Sequence, residues 1–279
     1  MGKIFEIYGL SILLSFVTIL TLTLLWRPKE IAAKFVFGAF LVNFLFAFFG
    51  ANLLNILMHL GEHKGQSIGE IFSNSGVAYL GAPVLGLFAF WVYCKIIKIP
   101  FLVFADYAAP FYMLDRAIGR VGCLGYGCCY GIPSNLPWAY TFRSWGITEF
   151  VPRHPTQAYA IIAALSIFFA SRYFYKKTKS VPGVFDLDYK KAPISGITFF
   201  FVIFFYSLLR FLNEFLRAEG PYMIGIFKYS HLALLLFLIV SVVFLVRLIT
   251  ASPSKKDLIA ILRSASLRLA IWLVIISGV

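Results

Sequence analysis

Two arginines and a glutamate close an apolar run, in a pattern suited to binding an anion. Residues 195–209 are almost entirely aliphatic and aromatic, and Arg210, Glu214 and Arg217 follow. On a helix these three share one face, with Tyr206 one turn earlier. A charge at the bilayer centre costs about 2.5–3.5 kcal/mol, so such residues are rare unless used. The stripe predicts a site for an anionic lipid headgroup. The alternative is a neutralising Arg210–Glu214 pair with Arg217 extended to the membrane surface.

A glycine-rich stretch at residues 119–131 is a second candidate site. Five of its thirteen residues are glycine, and each glycine costs about 1 kcal/mol in a helix interior. The stretch therefore predicts turning backbone that approaches a ligand closely, with Arg120 at its mouth. The alternative is a hairpin whose glycines serve packing and whose Arg120 is solvated.

Three of the four cysteines, Cys123, Cys128 and Cys129, lie in the glycine-rich stretch. On an oxidising side of a membrane, Cys123 could bridge Cys128 or Cys129, since a bridge between adjacent cysteines is strained. Small packing thiols are the default interpretation. His154 is the obvious further metal ligand nearby, so no metal is predicted. Cys94 lies in an apolar run and is expected to be structural.

A basic pair, Arg153 and His154, precedes the fifth apolar run. Pro155 suits the first turn of a helix, and Thr156 and Gln157 are expected to satisfy the free backbone amides there. A basic residue beside the positive end of a helix dipole favours an anion. Read as structure alone, the segment is an ordinary capped helix start.

Two further residues are candidate site residues because of their positions in the apolar runs. Tyr8 lies at the outer end of the first run, where a tyrosine commonly anchors a helix at the interface. Asp106 lies within the fourth run, where a carboxylate needs a partner, and a cavity-facing arginine is the expected one.

Composition places all these residues in a polytopic membrane protein. The chain has 279 residues, of which 61% are hydrophobic, and its mean hydropathy is +0.86, far from soluble norms. The prediction is all-α, with seven transmembrane helices, a short or re-entrant fourth, and an interfacial C-terminal helix at 257–279. The predicted spans are residues 7–26, 35–59, 76–97, 101–118, 155–174, 194–217 and 229–249. The domain prediction is a transmembrane domain at 1–250 and a C-terminal segment at 251–279.

Lysine and arginine placement predicts the orientation of these spans. Alternate connections are strongly basic, above all the one at residues 176–193, whereas those on the opposite side hold few basic residues. The N-terminus is therefore predicted outside and the C-terminal segment in the cytoplasm. The net charge of +13 is attributed to this asymmetry and to attraction by anionic lipid, not to nucleic acid.

Taken in order, the motifs resemble those of the prolipoprotein diacylglyceryl transferase family of bacterial inner membranes. The resemblance covers about residues 6–250. The matching segments are Tyr-Gly-Leu at 8–10, Asp-x-x-Ala-Pro at 106–110, Gly-Arg-x-Gly at 119–122, Gly-x-x-Tyr-Gly at 127–131, Arg-His-Pro-Thr-Gln at 153–157 and Tyr-x-x-x-Arg-Phe-x-x-Glu-Phe-x-Arg at 206–217.

The resemblance implies an enzyme that moves the diacylglyceryl group of phosphatidylglycerol onto the lipobox cysteine of a secreted prolipoprotein. Arg120 and Arg210 would hold the phosphate, and Glu214 would orient an arginine. Tyr8 and Tyr206 would line the lipid pocket. The remaining residues expected to bind substrate are Asp106, Cys123, Cys128, Gly131, Arg153, His154 and Arg217. The implied partners are phosphatidylglycerol or another anionic phospholipid, membrane lipids and the prolipoprotein, with no cofactor, no nucleic acid and a monomeric state.

The chain departs from the family pattern at a position that matters for proton transfer. Leu80 stands where the family usually has a histidine, a candidate general base for the incoming thiol. Elsewhere Cys123 replaces an asparagine, Cys128 a glutamate, and Ala160 a further glutamate. Because general-base assistance is typically worth about 100- to 10,000-fold, activity could be weak or rely on another base, with His154 and His231 as candidates by position. The alternatives are another acceptor for the lipid group, or a non-catalytic lipid-binding protein.

Overall fold

The computed structural model describes residues 2–58, 81–142, 150–218, 222–225 and 227–277. These residues form eight α-helices and a small antiparallel hairpin of strands β1 (Tyr222–Ile224) and β2 (Phe227–Lys228). The all-α prediction is confirmed. The helices are α1 (Gly2–Leu25), α2 (Ala33–Met58), α3 (Gly81–Ile96), α4 (Phe101–Tyr126), α5 (Thr156–Thr178), α6 (Ile197–Leu216), α7 (Tyr229–Ala251) and α8 (Lys255–Ser277), with one 3-10 turn at Tyr189–Lys191.

Length and composition make this chain a multi-pass membrane protein. Helices α2, α5, α6, α7 and α8 each contain an apolar stretch long enough to cross a membrane, and α1 and α3 contain shorter ones. Helix α8 therefore has the length to cross, where the sequence suggested an interfacial position. Large aliphatic side chains face outward along α7, such as Leu236 and Val243, as lipid contact requires.

Helix α4 differs most from its prediction. A short or re-entrant segment was expected at 101–118, with non-helical backbone from Gly119 onward, but one helix continues to Tyr126. The glycines at 119, 122 and 125 are thus helical. A helix satisfies its own backbone hydrogen bonds, which outweighs the low helix propensity of glycine where water is scarce. As a consequence, Arg116 and Arg120 project from the same helical face.

The chain forms two compact units, of which residues 23–104 are one. In this unit α2 and α3 pack together through small residues. A Cβ placed on Gly86 would lie 3.2 Å from the Cβ of Ala47, so the glycine permits this close approach. The Tyr93 hydroxyl donates to the carbonyl of Phe35 at 3.3 Å, which ties the same two helices.

The second unit comprises residues 1–22 and 105–279, and aromatic stacking joins its long helices. Phe174 of α5 stacks on Phe201 of α6 with ring centroids 4.6 Å apart. Phe200 of α6 stacks on Phe244 of α7 at 4.5 Å. Phe169 of α5 stacks on Trp272 of α8 at 4.6 Å. Such pairs add about 0.5–1.5 kcal/mol each beyond burial, so α5 and α6 are held firmly from both sides.

Asp106 fixes the position of α6 by capping its N-terminus. Its two carboxylate oxygens accept hydrogen bonds from the backbone amides of Gly196 at 2.7 Å and Phe199 at 2.8 Å. The expected arginine partner was therefore wrong. The free amides and the positive dipole at the start of a helix stabilise an anion in the same way as an arginine would. Gly196 has a φ of 98°, a left-handed conformation that glycine adopts without strain.

We expect Asp106→Ala to lower the thermal stability of the chain, because two buried amides lose their acceptor. The loss of a helix cap typically costs about 0.5–2 kcal/mol. Thermal unfolding in detergent would measure this change, with Asp257→Ala as the control because Asp257 is exposed on α8. Equal midpoints for the two variants would contradict the capping role.

Candidate active site

A buried carboxylate near the C-terminus of α6 holds two arginines. Glu214 Oε2 lies 2.6 Å from Arg210 Nη2, and Glu214 Oε1 lies 3.3 Å from Arg217 Nη1. The Glu214 side chain is only 2% exposed. Two guanidinium groups therefore share one carboxylate, and the trio keeps a net charge of +1 in a low-dielectric setting.

The predicted residues Arg120, Tyr206 and Arg210 line one cavity between α4, α5 and α6. They come from two helices that are distant in sequence. Arg210 Nη1 is buried without a hydrogen-bond partner among the described residues, and an unsatisfied charged donor is costly unless something else binds it. The other lining residues are Arg116, Tyr159, Ala160, Ala163, Ala164, Ile167, Leu209 and Asn213.

The cavity is narrow in this conformation. Water-sized molecules can occupy about 30 Å³ of it, whereas small-molecule sites commonly span roughly 300–1,000 Å³. A lipid headgroup therefore enters only if lining side chains move. Arg116 already has a local partner, because Asp115 Oδ2 lies 2.6 Å from its Nη2. The Ser15 hydroxyl in turn donates to Asp115 at 2.6 Å.

Residues 127–131, here called the cysteine loop, follow the end of α4 and are held by side chains of α5. The Thr156 hydroxyl donates to the carbonyl of Cys129 at 2.5 Å, and the Gln157 side-chain amide donates to the carbonyl of Cys128 at 2.5 Å. These side chains were expected to cap α5, but each donates to the loop instead. The N-cap residue of α5, Pro155, makes no side-chain cap hydrogen bond either. No disulfide joins the described cysteines.

Gly131 sits where three backbone segments meet. Its amide donates to the carbonyl of His154 at 2.9 Å, and the amide of Ile132 donates to the carbonyl of Leu216 at 2.8 Å. A Cβ at position 131 would lie 2.5 Å from the Cβ of His154 and 2.7 Å from the carbonyl oxygen of Leu216. This close approach requires glycine, and it ties the loop to the end of α6 that carries Arg217.

Arg153 and His154 make backbone hydrogen bonds to the segment after α4 and are not among the residues that line the cavity. Arg153 exchanges backbone hydrogen bonds with Tyr140 at 3.0 and 3.1 Å. Its guanidinium lies 5.2 Å from the ring centroid of Tyr130, a cation–π contact. His154 Nδ1 is 3.2 Å from the hydroxyl of Tyr159, which does line the cavity. Asp106 lies 14 residues before Arg120 on α4, or about 21 Å along the helix axis, and belongs to the other end of the helix.

Two predicted positions lie outside what the structure describes. Leu80, at the place of the family's histidine, falls in the undescribed segment 59–80, and of Tyr8 the structure describes only its membership of α1. His231 is described, and the hypothesis that it acts as a base does not fit its contacts. Its Nδ1 accepts a hydrogen bond from the amide of Lys228 at 3.0 Å. The neutral ring therefore carries its proton on Nε2 and offers no free acceptor.

Sequence reasoning missed Lys228, a fully buried cation beside the site. Its ammonium group donates to the carbonyls of Glu214 and Arg217 at the end of α6. A cation is favourable at the negative end of a helix dipole. The sequence offered no signal, since Lys228 precedes an apolar run like any interfacial lysine. Arg116 was detectable, because it lies four residues before Arg120.

The fold and site define a multi-pass membrane protein with a cationic cavity that opens among its helices. Comparison with known proteins gives the family: residues 3–247 match the prolipoprotein diacylglyceryl transferase family. The chain therefore belongs to that family and is a transferase.

Its relatives carry the same description. The chain is 27% identical over 254 residues to the phosphatidylglycerol–prolipoprotein diacylglyceryl transferase of Dehalococcoides mccartyi, covering 89% of this chain and 92% of the relative. It is 28% identical to that of Clostridium botulinum, covering 80% and 84% of the two chains. It is 30% identical to that of Finegoldia magna, covering 65% and 66%.

We expect Gly131→Ala to destabilise the loop and to displace the end of α6, because the new methyl group would meet backbone and side-chain atoms below 3 Å. Gly119→Ala is the matched control, since a Cβ there has nothing within 4 Å. Helix propensity alone predicts that this control gains up to about 1 kcal/mol. Thermal midpoints in detergent measure both effects. A Gly131→Ala chain as stable as wild type would show that the close contact is unimportant.

Proposed function

We propose that this chain transfers the diacylglyceryl group of phosphatidylglycerol to the lipobox cysteine of a prolipoprotein, at the outer face of the bacterial inner membrane. The observation that carries the proposal is the shared cavity of Arg120 and Arg210. Two guanidinium groups from separate helices, one of them held by Glu214, suit a phosphate between them. The names of the relatives supply the substrates.

The reaction requires that negative charge be stabilised on the leaving group. The acceptor cysteine loses its thiol proton to water, its sulfur attacks the glyceryl carbon, a C–S bond forms, and the C–O bond to phosphate breaks. Glycerol phosphate leaves with the electron pair. Fixed cations in a site of low dielectric stabilise that developing charge, because they need little reorganisation during the reaction. In this proposal Arg120 and Arg210 contact the phosphate.

Glu214 and Arg217 act on the phosphate through Arg210. Glu214 fixes the Arg210 guanidinium by the 2.6 Å contact, and leaves its Nη1 without a protein partner among the described residues. Nη1 is therefore the donor available to a phosphate oxygen. Arg217 balances the remaining carboxylate charge. Tyr206, which lines the same cavity, would contact the lipid near its headgroup.

The outer-face orientation is supported by the charge distribution around α5 and α6. These antiparallel helices place the cavity and cysteine loop at one end, where α5 begins and α6 ends. The connection at their other end, beside Asp106, holds Lys179, Lys190 and Lys191. Basic connections are retained in the cytoplasm, which supports an outward-facing cavity end. Secreted prolipoproteins present their cysteine on that side.

Complementation tests the proposal. In a host depleted of its own diacylglyceryl transferase, we expect this chain to restore lipid modification of a prolipoprotein, detected by mass shift and by labelled lipid. Arg210→Ala and Arg120→Ala should each lower transfer by about 100- to 1,000-fold, the usual effect of removing one transition-state donor. Arg247→Ala is the control, because Arg247 is exposed on α7.

The outcomes separate the alternatives. Wild-type rescue with loss in both cavity variants and none in Arg247→Ala supports the proposal. Phosphatidylglycerol turnover without prolipoprotein modification would instead indicate another acceptor. Headgroup binding without turnover would indicate a lipid-binding protein.

A further inference from the structure

Three thiols converge at the C-terminal end of α4, Cys123 from its last turn and Cys128 and Cys129 from the residues that follow. The Sγ atoms of Cys123, Cys128 and Cys129 all lie within 4.8 Å of one another. The backbone closes on itself here, with the amides of Gly127 and Cys128 donating to the carbonyl of Cys123 at 2.9 and 3.2 Å. Cys129 has a φ of 63°, a strained value for a residue other than glycine. The strained turn brings the last thiol back to the other two.

This spacing matches the coordination sphere of a thiophilic metal ion. Zinc–sulfur bonds are about 2.3 Å long, which places the sulfurs of a tetrahedral site about 3.8 Å apart. Thiols within 4.8 Å of one another can reach that geometry by small side-chain rotations. Among the described residues, no fourth His, Cys, Asp or Glu joins this group. Three protein ligands with one open position are typical of catalytic zinc sites.

The end of α4 also favours a cation at this place. The carbonyl groups at the C-terminal end of a helix carry a partial negative charge, and Cys123 lies in the last turn of α4.

The loop is also rigidly supported, as a metal site requires. Thr156 and Gln157, both fully buried, hold the carbonyls of Cys129 and Cys128 from α5. Arg120 lies one turn before Cys123 on α4 and lines the cavity. The cluster is therefore adjacent to the place assigned to the lipid phosphate.

We propose that Cys123, Cys128 and Cys129 bind one Zn²⁺-like thiophilic ion, whose open position takes the acceptor thiol. The second part rests on the proposed function. The acceptor thiol releases its proton to water as its sulfur binds the ion. That sulfur then forms the C–S bond as the C–O bond to phosphate breaks, and the electron pair leaves with glycerol phosphate. Metal binding thus supplies the thiolate that the family's histidine, replaced here by Leu80, would otherwise generate.

Metal titration tests the site without reference to activity. The full chain, purified in detergent under reducing conditions without metal, should bind one equivalent of Co²⁺ and show a thiolate-to-Co²⁺ charge-transfer band that Zn²⁺ abolishes. Cys123→Ser, Cys128→Ser and Cys129→Ser should each lose the band. Cys94→Ser is the matched control, because Cys94 is buried in α3 and does not belong to the group of three thiols. Thermal midpoints without metal establish that each variant is folded.

A lipobox peptide tests the open position. Adding the peptide with its cysteine should shift the Co²⁺ spectrum, and the same peptide with serine should not. The metal site is overturned if wild type binds no Co²⁺, if the serine variants bind it equally, or if mass spectrometry finds a disulfide in the loop of the reduced-purified chain. An unchanged spectrum with the cysteine peptide overturns the acceptor role. None of these readouts requires transfer, so failure of the proposed function would appear separately, in complementation.

Discussion

One buried carboxylate, Glu214, determines the arrangement of the site. It contacts Arg210 of the same helix at 2.6 Å and Arg217, the residue that follows the helix, at 3.3 Å. Without it, two guanidinium groups would face each other in a medium that screens charge poorly, and removing one partner of such a buried pair typically costs about 3–5 kcal/mol. With it, the trio carries a single positive charge and Arg210 presents a fixed donor to the cavity. Lys228 completes the arrangement by binding the carbonyl end of α6.

The rest of the second unit serves to keep that carboxylate opposite α4. Asp106 caps α6 at one end, and Gly131 ties the other end to the loop after α4. The continuous helix α4 brings Arg120 to the cavity, so its unexpected length is what unites the site. Had the chain left helical geometry at Gly119, Arg120 and Arg116 would not share a face.

Much of this organisation could be predicted from the sequence. Helical periodicity placed Tyr206, Arg210 and Glu214 on one face, because a helix fixes relative positions over a few turns. Arg217 was predicted on the same helical face, but it follows the end of α6 in extended conformation and still contacts Glu214. Hydropathy placed the helices to within a few residues at most ends. The family resemblance put Arg120 and Arg210 in one site, and the cavity that both line fits that expectation.

The failures share a physical cause, which is that side-chain partners are set by tertiary contacts. Asp106 was expected to pair with an arginine, but it accepts hydrogen bonds from backbone amides. Thr156 and Gln157 were expected to bind helix amides, but they donate to carbonyls of the cysteine loop. The low helix propensity of glycine led to the wrong prediction for the end of α4. Propensities measured in water understate the need for internal hydrogen bonds in a membrane. The sequence spacing of the three cysteines predicted no single geometry for them, because their sulfurs meet at a turn in which Cys129 is left-handed, a conformation that spacing does not reveal.

The central claim is that Arg210 and Arg120 together bind the phosphate of a phospholipid. Solid-state NMR of the chain labelled with ¹⁵N-arginine in phosphatidylglycerol bilayers measures it directly, through dipolar coupling between phosphorus and guanidinium nitrogen. We predict hydrogen-bond contact between one phosphate and the guanidinium groups of both arginines, assigned by its loss in Arg210→Lys and Arg120→Lys and its persistence in Arg247→Lys. Coupling that both cavity variants leave unchanged would place the headgroup elsewhere and contradict the account.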